Sequence, residues 1–151
     1  MTPDALDQAI DLTLHRRTDI DFMLLADRAD VVGGKLYMLG GAWDKLQPPT
    51  FPFPFMFGIA VGVRVPYAET EDAHQLRVVM ERADNGERLV EIEAELQTGR
   101  PPGTKGRDLL VPMAFNVPYQ FDGPMELALV AHIDGVERRR TSVSVIRRGG
   151  R

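Results

Sequence analysis

The chain has 151 residues, 44% of them hydrophobic and 26% charged, which suits one domain with a sizeable core and is not the composition of a disordered chain. It contains no cysteine, which excludes disulfides, thiolate metal sites and cysteine nucleophiles and makes the cytoplasm the expected compartment. The net charge of −4 is uneven: Val136–Arg151 holds six arginines and one glutamate, a balance of +5, leaving −9 on the rest. A basic end on an acidic body is a poor fit for nucleic acid, because the body repels phosphate and no aromatic residues interleave the arginines. It reads as a solvated last strand followed by a short basic tail, residues 148–151.

The N-terminal stretch is the one helical candidate. Thr2 suits the cap, Pro3 the first turn, and Asp4 and Asp7 the positive end of the helix dipole. Leu6, Ile10 and Leu14 recur at i, i+4 and i+8, which predicts a helix over Pro3–Arg16 with one narrow apolar stripe. Such a helix is marginal alone and needs to pack on its own domain or on a partner. With three aspartates and no long apolar run, Met1–Arg17 is expected to be neither a signal peptide nor a membrane span. Residues 1–18 are therefore taken as a helical appendage and 19–147 as the domain proper.

After Thr18 the apolar period changes to 2. Ile20, Phe22, Leu24 and Ala26 predict one face of a first strand, and Gly33-Gly34 turns the chain into a second strand over Lys35–Leu39. Alternating prolines from Pro48 to Pro54 predict an extended connection or an edge. A long strand then runs from Phe55 to Val65, with Phe57, Ile59, Val61 and Val63 on one face and Gly58, Ala60 and Gly62 on the other.

The hairpin of His74–Arg82 with Arg88–Leu96 allows its register to be derived. Leu76, Val78 and Met80 share a face with Val90, Ile92 and Leu96 only if paired residue numbers sum to 170. A two-residue Asn85-Gly86 turn would give 171 and set Met80 against Glu91, so a three-residue bulged loop, Asp84-Asn85-Gly86, is predicted. Arg77 then lies opposite Glu93, and Glu91, Glu93 and Glu95 form a solvated ladder rather than a metal or acid/base site. Further strands are read over Leu109–Val117, where Pro112 marks an edge or bulge, over Met125–Ile133, and over Glu137–Ile146 after an Asp134-Gly135 turn. The sum is an all-β fold: a two-sheet antiparallel sandwich of about eight strands with one short N-terminal helix.

Phe22-Met23-Leu24-Leu25-Ala26-Asp27, Gly34-Lys35-Leu36-Tyr37, Gly40-Gly41-Ala42-Trp43-Asp44 and Val63-Arg64-Val65-Pro66 with His74-Gln75-Leu76-Arg77 resemble a family of small bacterial proteins, common in actinobacteria, known as a domain of unknown function. The resemblance spans about Asp21 to Ile146 and implies a β-sandwich with no assigned activity. The closing strand-Asp-Gly-strand pattern is also similar to the last hairpin of immunoglobulin-like and C2-like sandwiches.

Motifs for chemistry are missing from the sequence. There is no phosphate-binding glycine loop and no nucleophile elbow, and Ser142 and Ser144 simply alternate on a terminal strand. His15, His74 and His132 show no ligand spacing, and Glu69, Glu71, Asp72, Asp122 and Asp134 lack the regularity of a calcium site. No enzyme, cofactor or metal is expected. Trp43 either plugs an end of the sandwich or lines a small surface with Tyr37 and Lys45, which would suit a small ligand or a carbohydrate. Phe51 and Phe53 lie among prolines, where regular packing is hard, and an exposed remnant would be an interface. The expected role is a non-catalytic interaction or assembly module whose partner is itself or another protein, with Leu6, Ile10, Leu14, Trp43, Phe51 and Phe53 as candidate contacts.

Overall fold

The computed structural model of the protein describes residues 16–149. Nine strands follow one another: β1 Asp19–Val32, β2 Lys35–Gly41, β3 Lys45–Leu46, β4 Phe53–Val65, β5 His74–Arg82, β6 Arg88–Leu96, β7 Leu109–Phe121, β8 Met125–Ile133 and β9 Val136–Val145. They form a four-stranded sheet in the order β2-β1-β4-β7 and a five-stranded sheet in the order β3-β9-β8-β5-β6. Phe57, Ile59, Val61, Val63 and Val65 of β4 face Leu76 and Val78 of β5 and Leu127, Leu129 and Ile133 of β8 in one core, all at most 2% exposed.

The sandwich stands, but the fold differs from the expected one in three respects. Among the described residues there is no α-helix, only a 3-10 turn at Tyr67–Glu69. The helix read over Pro3–Arg16 falls, except for Arg16, outside the described residues, and Leu6, Ile10 and Leu14 fall there with it. Arg16 itself is in irregular backbone, its guanidinium on Asp108, and two residues later the Glu69 carboxylate takes the Thr18 amide at 3.1 Å, which feeds the chain straight into β1. Secondly, the strands number nine rather than eight. The extra one, β3, has two residues and no readable period. Thirdly, β3 pairs parallel with the end of β9, so the sheets are not wholly antiparallel.

The predicted facing of β1 also changes along the strand. A bulge between Ile20 and Phe22 shifts its register against β4. Ile20 then points inward together with Met23 and Leu25, while Phe22 lies over Gly62 on the outer face, where a Cβ would stand 2.2 Å from its ring. One extra residue reverses an alternation, which a period-2 reading cannot see.

Beyond Ala26, β1 leaves the β4 ladder and crosses its outer face at Gly58. A Cβ there would lie 2.7 Å from the Ala29 nitrogen. Asn116, opposite Gly58 on β7, clamps the crossing strand: its Oδ1 accepts from the Ala29 amide at 3.1 Å and its Nδ2 donates to the Ala29 carbonyl at 2.8 Å. The β1–β2 hairpin is thus an arm held against the sheet by its β1 side.

The β5–β6 register is the predicted one, with Met80 opposite Val90, Val78 opposite Ile92 and Arg77 opposite Glu93. Its turn is different. A longer loop, closed by the Gly86 amide on the Arg82 carbonyl at 2.9 Å, is offset by a bulge that leaves Leu89 unpaired. Burial of the apolar face fixed the pairing, and the loop adapted to it.

Candidate interaction site

A sandwich has four sheet edges, and each unpaired edge can template another strand. On β7 two prolines, Pro112 and Pro118, interrupt the run of amides, a residue type confined to edges because it cannot donate to a central ladder. On β6, Glu91, Glu93 and Glu95 line the solvent face, so an approaching copy meets like charge. The β3 edge is two residues long. Prolines, charge and shortness are the usual devices against edge-to-edge association.

The fourth edge, β2, carries none of them along its centre. Gly33 and Gly34, at φ 59° and 75°, make the tight two-residue turn that makes Val32 and Lys35 a hydrogen-bonded pair. Hydrogen-bonded pairs then recur at Asp30–Tyr37 and Arg28–Leu39, and the alternate residues Leu36 and Met38 turn their backbone N–H and C=O to the open side. On the solvent face of the same arm Val32 is 64% exposed, Tyr37 56% and Leu39 70%. Arg28 and Asp30, ion-paired at 3.0 Å, flank them on β1. Three large apolar side chains side by side on an uncovered edge are an exposed apolar patch, not scattered surface residues.

The aromatic candidates lie elsewhere. Trp43, Phe51 and Phe55 are half-buried against the core at one end of the sandwich. Trp43 lies 6.2 Å from Phe55, Phe53 stacks on Phe55 at 5.7 Å, and Arg147 rests over Phe51 at 5.6 Å. Trp43 also borders a cleft of about 220 Å³ with Asp44, Thr141 and Ser142. That is below the roughly 300 Å³ at which ligand pockets begin. Tyr37 and Lys45 do not line it. Tyr37 stands on the hairpin arm instead, opposite Asp30.

The arginines of the C-terminal strand do not gather into one patch. Arg140 is bound to Glu137 at 2.6 Å and to Glu81 at 3.1 Å, and Arg138 lines a cleft with Arg16, Arg17, Arg64, Asp19 and Asp21 in which Arg64 already holds Asp21 at 2.6 Å.

A polar cluster at one end of the sandwich was not visible in the sequence as a unit. His74, 5% exposed, sets Nδ1 2.9 Å from Oδ2 of Asp134 and Nε2 2.9 Å from the Glu69 carbonyl. Both are acceptors and suit a ring that donates from each nitrogen, while the Thr18 hydroxyl lies 3.4 Å from Nε2. Burial works to lower its pKa, but the hydrogen bond and charge of Asp134, with the Glu69 carbonyl, outweigh it and raise the pKa above the usual histidine value. For Asp134, burial is likewise outweighed, by the Gln75 amide and by His74, and its carboxyl titrates below the usual range. The spacing of 60 residues between His74 and Asp134 is closed by the β5–β8 pairing of Leu76 with Ile133. Every strong group in this cluster has a partner within it, so it reads as a clasp between the β8–β9 turn, the start of β5 and the 3-10 turn.

The match to a known family covers residues 21–146, from the third residue of β1 to one residue past β9. The chain belongs to DUF6941, a family of unknown function. No curated protein matches it. The match takes in the hairpin arm, the Asn116 clamp and the His74–Asp134 pair of the DUF6941 domain. Among the described residues no three histidine, aspartate or glutamate side chains converge as a metal would require, and no helix is long and apolar enough to cross a membrane.

Proposed function

We propose that this DUF6941 chain is a non-catalytic, cytoplasmic protein-interaction module that self-associates by adding a strand at β2. One observation carries the reading: of the four sheet edges, β2 alone pairs outward-facing backbone groups with an exposed apolar face and has no proline or charge along its centre, Leu36 to Leu39. Strand addition takes affinity from main-chain hydrogen bonds and selectivity from alternate side chains, and the β2 edge offers both. The cysteine-free sequence supports the compartment.

Sedimentation equilibrium over a dilution series tests it. The wild-type chain is expected to move from dimer to monomer on dilution. Tyr37→Lys/Leu39→Lys, which places like charges on the edge without touching the core, is expected to stay monomeric with unchanged circular dichroism and Tm. A wild-type chain that is strictly monomeric at high concentration contradicts the reading.

A further inference from the structure

We propose that the partner at β2 is a second copy of the same chain, joined antiparallel about a two-fold axis through Met38, so that the two four-stranded sheets become one continuous sheet of eight. This rests on the reading of β2 as the interaction edge and adds a register to it.

The register follows from three constraints. Leu36 and Met38, and beyond them the irregular Gly40, turn backbone groups outward, and an axis through any residue of β2 sets such groups opposite one another, so the side-chain rows decide. An axis through Tyr37 would put Asp30 at both ends of one row and Lys35 beside Leu39, and one through Leu39 would put Arg28 at both ends of one row and Tyr37 beside Gly41. An axis between residues would pair an inner face with an outer one. The other axes pass through Leu36, Met38 and Gly40. One through Leu36 would set Lys35 beside Tyr37 and leave Leu39 uncovered. One through Gly40 would set Leu39 beside Gly41 and carry Tyr37 past the end of β2. The axis through Met38 pairs Leu36 with Gly40 of the second copy and, on the solvent face, Tyr37 with its Leu39, twice over.

That arrangement buries two of the three most exposed large apolar residues among the described residues against one another, Leu39 at 70% and Tyr37 at 56%. It is also complementary in charge. Each transverse row across the join reads Arg28, Leu39, then Tyr37 and Asp30 of the second copy, an apolar pair closed by one cation and one anion. Lys35, the one charged residue of β2, falls opposite Gly41 rather than another lysine. A seven-residue strand with its two side-chain faces buries less than the roughly 1,200 Å² of the smaller specific interfaces. An edge of that size suits a reversible dimer that separates on dilution.

The absence of cysteine makes the register directly measurable, since any introduced thiol is the chain's sole one. Opposed residues of a hydrogen-bonded antiparallel pair have Cα atoms about 5.5 Å apart, within disulfide reach. In this dimer Met38 faces Met38, whereas the two Leu36 residues are about 13 Å apart along the strands. Mild oxidation of Met38→Cys is expected to give a disulfide dimer at least tenfold faster than Leu36→Cys, both side chains being half-buried. Should Met38→Cys fail to fold, chains carrying Tyr37→Cys mixed with chains carrying Leu39→Cys read the same register and are expected to cross-link only with each other. Equal rates at positions 36 and 38 in a chain that sediments as a dimer overturn the register and leave self-association standing. A wild-type chain that never dimerises overturns both.

Discussion

Gly58→Ala is expected to lower the melting temperature by roughly 10 °C and to loosen the β1–β2 arm. The new Cβ would stand 2.7 Å from the Ala29 nitrogen and 2.9 Å from the Arg28 carbonyl carbon. Both are backbone atoms, so no rotamer change relieves the clash. Overpacking of a filled site costs about 1–3 kcal/mol. Lifting β1 also strains the two Asn116 hydrogen bonds to Ala29, each contributing about 1 kcal/mol. A total near 3 kcal/mol corresponds to that shift in a chain of this size. Gly62→Ala is the internal comparison: its Cβ would meet the Phe22 ring, a side chain with a way out, and the loss is expected to be smaller. Thermal melts of the two variants check the order, and equal melts would mean that β1 does not bear on Gly58.

Replacing His74 by glutamine is expected to cost about 2–3 kcal/mol near pH 5.5 and distinctly less near pH 9. Glutamine can keep one hydrogen bond, but it loses the charge that makes both bonds strong. Asp134 is half-exposed, so solvent screens part of the ion pair and the full price of a buried pair does not apply. The pH dependence follows from the directions of the two shifts. The His74 pKa is raised on folding, so its contribution is fully present below the unfolded value of about 6.5 and is lost as pH rises through the folded value. The Asp134 pKa is lowered, so its contribution is present above about 3.9 and is lost as pH falls through the folded value. The contribution of this pair should therefore be greatest between roughly pH 4 and 6.5, and the gap to the variant should close in alkali. A gap that stays constant from pH 5.5 to 9 would mean that His74 is neutral in the folded chain.

The two features differ in how far the sequence reveals them. Asp134-Gly135 is legible as a turn because Asp and Gly tolerate the left-handed backbone that Asp134 adopts at φ 51°. That His74 meets the same carboxylate depends on β5 and β8 being neighbours, which no local pattern encodes. Likewise the β5–β6 register could be derived because one face of each strand is apolar and a one-residue slip would invert it. The β1 bulge could not, since Phe22, Met23, Leu24 and Leu25 are apolar on both parities. Gly58, Ala60 and Gly62 read as the plain outer face of a strand. Only the structure shows that β1 lies on Gly58 and the Phe22 ring on Gly62.

The same reasoning explains why Leu39 does not stand out as a contact, and why Tyr37 reads only as a neighbour of Trp43 and Lys45. In sequence Tyr37 and Leu39 belong to an ordinary apolar strand after a Gly-Gly turn. Their exposure follows from β2 being an outer strand of an arm whose other side is taken by β1 and Asn116. Trp43, Phe51 and Phe53 attract notice by residue type, yet they pack at the end of the core or against its aromatic neighbours.

Amide hydrogen exchange at Leu36 and Met38 tests the central claim most directly, because these are the amides that β2 turns to its open side. In a monomer they face solvent and exchange quickly, while Tyr37 and Leu39 are protected by β1. If β2 is the interaction edge, Leu36 and Met38 slow markedly when the concentration is raised about a hundredfold through the association range, and the β6 and β7 edge amides do not. Exchange at Leu36 and Met38 that is equally fast at both concentrations, in a sample shown to associate, would place the contact elsewhere and contradict the account.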